Sequence, residues 1–302
     1  MSTATTDPNQ RATKPPRSPS LGARLQGGLL ALPLALVLLA FLAVPVGIVV
    51  AVSFWDYNDW EVIPSFVTFN YVELFTSRLT YILYWKTLKF AFLVWAFTLV
   101  IGVMVAYVLT FRIRSTKWQI VLFLVCTIPF WTSNIIRMIA WIPVLGRHGL
   151  VNGFLEQTGL IGSPIEWLLY SEFAVVLAFV HLYALFMVVP VFNSMARIDT
   201  SLLEAARDAG ATGIQTFFMV ILPLCRPGMA IGSIFVVALV MGDFVTVKMM
   251  SGGQAASVGV ALRNEIALLQ YPPASAAAVI LLLFVLAMIF GLTRIVDIRK
   301  EL

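Results

Sequence analysis

Charge is what this sequence has least of. Of its 302 residues only 12% are Asp, Glu, Lys or Arg, while 60% are hydrophobic, and the mean hydropathy is +0.94. A soluble domain covers its surface with about twice that share of charge, so a water-soluble globule is excluded. Cysteine and histidine are also scarce, two of each. Cys126 and Cys225 adjoin apolar runs and read as reduced packing residues, not as a disulfide framework. His148 and His181 are isolated and not at ligand spacing, so no metal site is expected. His181 sits inside an apolar run and reads as a packed, hydrogen-bonded side chain. No GxxxxGK[ST] phosphate loop occurs, so the chain does not hydrolyse ATP by that route. HExxH, GxSxG and paired aspartates within the apolar runs are missing too, which argues against an intramembrane enzyme.

What is present is apolar sequence in long blocks. Six of them approach the roughly 20 residues that cross a bilayer as a helix: residues 29–54, 88–111, 118–136, 173–192, 220–241 and 274–292. The first is too long for the hydrophobic region of a signal peptide. No ten-residue alternation suggests a membrane barrel. The expected fold is an all-α integral membrane protein with six transmembrane helices. Residues 1–28, polar and proline-rich, read as a disordered tail, leaving 29–302 as one transmembrane domain.

The net charge of +5 is read as topology, not as nucleic-acid binding. Thirteen of the twenty Lys and Arg fall on one side of the six spans: in the tail, at 112–117, at Arg197, Arg207 and Arg226, and at the C-terminal end. That side is expected to be cytoplasmic, with both termini on it. The opposite loops carry Asp56, Asp59, Glu61, Glu73, Glu156 and Glu166. Two of them, "FWDYNDWEVIPSFVTFNYVELF" and "GLVNGFLEQTGLIGSPIEWLLYS", mix aromatics with acids or carry amphipathic spacing. They suit interfacial caps or contacts with an external partner.

One cytoplasmic stretch departs from the apolar pattern: "SLLEAARDAGATGIQTFFMVILPLCRPG", residues 201–228. Ser201 and Glu204 match a capping box, which predicts a short helix from Leu202. Gly210 suits its end, because glycine takes the left-handed conformation at little cost. Thr212 and Gln215 form a second capping-box pattern, which predicts a second helix near Gly213 leading into the fifth span. Pro223 and Pro227 are expected to bend it. Ala205, Ala206 and Ala209 keep the short helix thin, and Leu202 and Leu203 offer apolar anchors. Such a helix fits either another protein's groove or the inner lipid surface.

The same residues carry a family resemblance. "EAARDAGATGIQTFFMVILP" resembles the EAA signature of bacterial ABC importer permeases. Glu204, Ala205 and Ala206 match, Gly210 follows after three residues, and Leu222 and Pro223 close the motif, with Val220 where isoleucine is usual. "IPFWTSNIIRMIAW" and "MGDFVTVKMMSGG" look like the spermidine/putrescine branch of these permeases. Val247 and "QYPPASA" depart from the branch's usual wording. The likeness runs from about residue 29 to the C-terminus.

It implies a permease subunit in a bacterial inner membrane, moving a polyamine or a related small solute. The segment 199–223 would be a coupling helix docking on an ATPase through Leu203, Glu204, Ala205, Ala206, Ala209, Gly210, Leu222 and Pro223. ATP and magnesium would be held by that partner dimer and no cofactor by this chain. A second permease, a periplasmic or lipid-anchored binding protein and membrane lipid are the other implied partners.

Polar groups inside spans are costly and often functional. Thr132, Ser133, Asn134 and Arg137 on the third span and Asp243 at the outer end of the fifth are therefore candidates for the substrate path. Asp243 suits an ammonium group, or else caps a helix or pairs with Lys248 or Arg137. The alternative function class is a secondary transporter driven by an ion gradient. It would call for intramembrane carboxylates and paired broken helices, and acids within the spans are sparse.

Overall fold

The computed structural model describes residues 32–58, 61–113 and 115–295. The expected tail at 1–28 lies outside the described residues, as do Asp59, Arg114, Arg299 and Lys300. A chain this apolar must satisfy its backbone internally, which helices do, and helix is almost all there is. A short β-hairpin (β1 Asp56–Tyr57, β2 Val62–Ile63, antiparallel) is the exception among the described residues.

Among the described residues, four helices are long and apolar enough to cross a membrane unbroken. They are α1 (Leu32–Val52), α3 (Arg78–Tyr107, continued by a π-helical turn Val108–Arg112), α7 (Glu172–Ala196) and α13 (Tyr271–Ile295). Two further apolar stretches are sharply bent pairs, so the count reaches six only if each pair is one span. The contact pattern divides the chain at Ile48, and the rest of the description concerns residues from Val49 onward.

The first bent pair replaces the rod expected over 118–136. Helix α4 (Thr116–Thr127) runs into a 3₁₀ turn at Ile128–Trp131. Thr132 and Ser133 are then extended, α5 (Asn134–Leu145) follows, and the stretch Asn134–Gln157 lies at 93° to Thr116–Trp131. Pro129 lacks the amide that would continue the α ladder. In the second pair, α9 (Gly213–Leu224) meets α10 (Arg226–Gly242) at 64°, close to Pro223 and Pro227 as expected. Helix α3 begins ten residues before the expected span. "RLTYILYWK" is too polar to read as apolar, yet it holds no glycine or proline to stop a helix.

Helices α3, α7 and α10 form the core. Phe90 and Val94 of α3, Phe179 and Val191 of α7, and Val236 and Met241 of α10 are buried there. Between helices in lipid the drive is close packing, and small residues permit it. A Cβ on Gly102 would meet Met187 Cγ at 2.5 Å. One on Gly228 would meet the Pro190 carbonyl at 2.5 Å, and one on Gly232 would meet Met187 Sδ at 2.6 Å. Helix α7 is thus clasped on two sides by glycines. Trp95 Nε1 donates to Ser233 Oγ at 2.8 Å, joining α3 to α10, and Tyr84 donates to the Ala277 carbonyl at 3.1 Å, joining α3 to α13.

The loop regions are ordered by single polar side chains. Buried Asn152, on α6 (Leu150–Gln157), bonds the Gly146 and Ile165 carbonyls and accepts the Ile165 amide. Asn70, on α2 (Phe69–Thr76), donates to the Ser53 and Trp55 carbonyls. The remaining helices are α8 (Thr200–Asp208), α11 (Val245–Met250) and α12 (Val258–Ala267).

Candidate functional site

Helix α8 is the charged segment's short helix, and it starts two residues earlier than expected. The Ser201–Glu204 capping box does not form. Asp199 is the N-cap instead, its carboxylate accepting the Ser201 amide at 3.0 Å. An ionised acceptor beside the positive helix end outcompetes a serine hydroxyl two residues later. Hydrogen bonds from Ser201, its amide foremost, hold the Asp199 carboxyl below its usual pKa.

The end of α8 is as the glycine suggested. Gly210 has φ +81°. Its amide donates to the Arg207 carbonyl at 2.8 Å, and the Ala211 amide to the Ala206 carbonyl at 3.0 Å. These two bonds make a Schellman motif. The second capping box also forms: Gln215 Oε1 accepts the Thr212 amide at 2.8 Å and Thr212 Oγ1 accepts the Gln215 amide at 3.3 Å.

The faces of α8 now separate. Leu202, Ala205 and Ala209, at helical spacing, are exposed together with Glu204 and Gly210. Ala206, Leu222 and Pro223 are half-buried. Leu203 is half-buried too and packs with Leu222 on the core, so the outward apolar anchor is Leu202 alone, 47% exposed. What α8 presents is a narrow small-residue face with one leucine, held rigidly at both ends.

The intramembrane candidates divide. Thr132 sits in the break between α4 and α5, its hydroxyl bonded to the Pro129 carbonyl at 2.8 Å. Asn134 opens α5 and accepts from Arg137 Nη2. Arg137 is only 8% exposed, and its Nε has no hydrogen-bond partner among the described residues. It faces a cavity of about 280 Å³ between α3, α4 and α7 that also holds His181. His181 Nδ1 accepts from Trp141 Nε1 at 3.0 Å, the packed role its setting implied.

Asp243, at the end of α10, pairs with neither Lys248 nor Arg137 among the described residues. Its carboxylate accepts the Thr246 amide at 2.9 Å, the Thr246 hydroxyl at 2.7 Å and the Tyr183 hydroxyl at 2.7 Å. It therefore caps α11 and ties α10 to α7. Tyr183 and Thr246 are the residues that sequence reasoning missed; a tyrosine amid the valines and leucines of α7 was the available signal.

A second overlooked group is Glu265 of α12. It lines a cavity of about 250 Å³ with Glu73 and Tyr84. Its Oε2 is buried without a hydrogen-bond partner among the described residues. Burial, and then the Glu73 carboxylate, push its pKa up.

No family model matches the chain. Individual proteins do. It is 32% identical over 256 residues to the spermidine/putrescine transport system permease protein PotB of Haemophilus influenzae, covering 84% of this chain and 88% of that one. To the PotB of Escherichia coli it is 29% identical over 251 residues, covering 83% and 90%. Among solved structures, a bacterial alginate ABC transporter in complex with an alginate pentasaccharide-bound periplasmic protein contains a chain of the same fold. The TM-score is 0.68 at 17% identity, over 90% of this chain and 93% of that one. With a tight core of α3, α7 and α10, two bent apolar pairs, an exposed short helix and these relatives, the chain belongs to the ABC transporter permeases, in their spermidine/putrescine branch.

Proposed function

We propose that this chain is the membrane-embedded subunit of an ATP-driven polyamine importer in a bacterial inner membrane, with both termini cytoplasmic. The observation that carries the reading is the 32% identity over 84% of the chain to a spermidine/putrescine permease. The shape of α8 supports it. A thin, capped helix with Glu204, Ala205, Ala209 and Gly210 exposed suits the groove of a separate ATPase subunit. That ATPase dimer binds ATP and magnesium. A second permease chain and an external binding protein complete the machine.

Closure of the ATPase pair moves α8. Because α8 leads through a tight turn into α9, the movement reaches the 64° bend and then the clasped core of α3, α7 and α10. A rigid core moves as a body, which is what alternating access requires. On the path, Asp243 is the acceptor for a cargo ammonium. The cargo replaces the Tyr183 hydroxyl, while the two Thr246 bonds keep the carboxylate aimed. Thr132, Asn134 and Arg137 stand at the break of the third span, and Arg137 keeps that stretch from being uniformly attractive to cations.

The test is uptake of labelled spermidine by proteoliposomes holding the assembled complex. The expected result is uptake that requires ATP, is lost in Glu204→Lys, and falls in Asp243→Asn. Uptake driven by an ion gradient without any ATPase would overturn the importer reading. Unchanged spermidine uptake in Asp243→Asn would remove that residue from the path.

A further inference from the structure

Beside α8, along the flank that carries Glu204 and Arg207, lies a cavity of about 450 Å³, well within the size range of ligand sites. Its walls come from three elements. The end of α3 and its π turn supply Tyr107, Thr110 and Arg112, α8 supplies Glu204 and Arg207, and α9 supplies Thr216. Neither arginine makes an ion pair or hydrogen bond among the described residues. Thr110 Oγ1 is buried there with no hydrogen-bond partner among them. Glu204 offsets one of the two positive charges, so the cavity keeps an excess of one.

We infer that this cavity seats the phosphate of an anionic phospholipid, which ties α8 to the end of α3. Guanidinium groups grip phosphate oxygens through paired N–H bonds, and two from different elements can share one headgroup. The Thr110 hydroxyl supplies the donor that the protein itself leaves unused. The apolar surroundings favour a lipid over a free anion or an acidic side chain of a partner protein. Tyr107 packs on Phe111 and edge-on to Phe217, with ring centroids 5.5 and 5.3 Å apart. Phe218 lies edge-on to Phe217, and on this same helix Ile214, Phe218 and Met219 are 73%, 59% and 74% exposed. Aromatic and apolar groups flanking basic ones mark a membrane interface, where a headgroup and its acyl chains are accommodated together.

The inference rests on the permease reading only for the leaflet involved and for the consequence in transport. A lipid that bridges α3 and α8 stiffens the link through which the ATPase acts, so ATP hydrolysis should depend on anionic lipid.

The assembled complex is purified in mild detergent and titrated with phosphatidylglycerol under native mass spectrometry. It is then placed in phosphatidylcholine nanodiscs with and without phosphatidylglycerol. The wild type should hold a phosphatidylglycerol adduct that Arg112→Gln/Arg207→Gln binds about tenfold more weakly. Glu204→Gln should bind it more tightly, a gain that misfolding does not produce. Phosphatidylglycerol should stimulate ATP hydrolysis in the wild type and not in the double variant. Equal lipid binding by wild type and double variant would overturn the inference. So would replacement of the lipid by millimolar inorganic phosphate. Loss of the ATPase from the double variant in phosphatidylcholine alone would make the arginines a protein contact instead. The adduct is read without transport, so a complex that binds lipid but moves no polyamine would refute the function and leave this site standing.

Discussion

Replacing Gly210 isolates backbone conformation from every other influence in α8. The residue sits at φ +81°, and a Cβ added there meets nothing within 4 Å. Its substitution therefore creates no clash within the chain, and what remains is the left-handed backbone. For an L-residue that conformation costs roughly 1–2 kcal/mol, with asparagine the mildest exception. The strain falls on a turn held by two hydrogen bonds, Gly210 to Arg207 and Ala211 to Ala206. A cost of that size changes the ratio of closed to open turn by about 5- to 30-fold. Binding of the ATPase subunit, if it needs the closed turn, weakens by at most the same factor. The assay is titration of the ATPase onto reconstituted permease carrying Gly210→Asn, Gly210→Ala or Gly210→Val. Affinity should fall in the order Gly, Asn, Ala, Val. Wild-type affinity for Gly210→Val would refute the conformational argument. A loss in Gly210→Asn as large as in Gly210→Val would show that side-chain bulk against the ATPase, not φ, is what matters.

Three more predictions follow from the geometry. Gly228→Val drives a side chain into the Pro190 carbonyl and Ser194, both 2.5 Å from the added Cβ. It should lower thermal stability by about 1–3 kcal/mol, read as the detergent melting temperature, and Gly213→Ala, with open space around it, should not. Glu265 has a raised pKa, so its favourable neutral form is kept at low pH and lost as pH rises through the folded value. Glu265→Gln should therefore raise the melting temperature at pH 8 and leave it unchanged at pH 4; equal shifts at both would assign the effect to packing. Asp199 has a lowered pKa, so its cap is kept until pH falls below the usual carboxylate range. ATPase binding should thus be flat from pH 5 to pH 8, with Asp199→Asn tolerated and Asp199→Ala weakened; a titration in that window would sink the capping role.

Much of this was legible in the sequence because the signals were local. Gly210 and the Thr212–Gln215 pair needed only their neighbours to specify a turn and a helix start. The bend near Pro223 and Pro227 followed from missing amides. The start of α8 was misjudged because two residues could serve as the N-cap, and the better acceptor, Asp199, lies two residues before the Ser201–Glu204 pattern. Leu203 was misplaced because neighbouring leucines on a helix point about 100° apart, and only the bundle decides which one is covered. The break at Thr132 and Ser133 was not legible at all. One proline in an apolar run is compatible with a kinked rod, and the 93° turn depends on what α5 packs against. The Tyr183–Asp243 bond joins residues 60 apart, a pairing no local pattern encodes.

Two of the π-helical turns, Val108–Arg112 and Phe217–Ile221, contribute to the walls of the cavity beside α8. Each stores one residue more than an α-helix of the same length would need. That surplus can be handed along the helix one hydrogen bond at a time, and each step turns the far end by about 100° and advances it by about 1.5 Å. Deleting Val108 should remove the surplus from α3, leaving a folded chain that hydrolyses ATP with its partners but no longer links it to uptake; intact coupling would show the slack to be idle. With it, the segment beyond each π turn can swing with the ATPase while the buried part of the same helix keeps its register, so the glycine clasp around α7 need not loosen at every turnover.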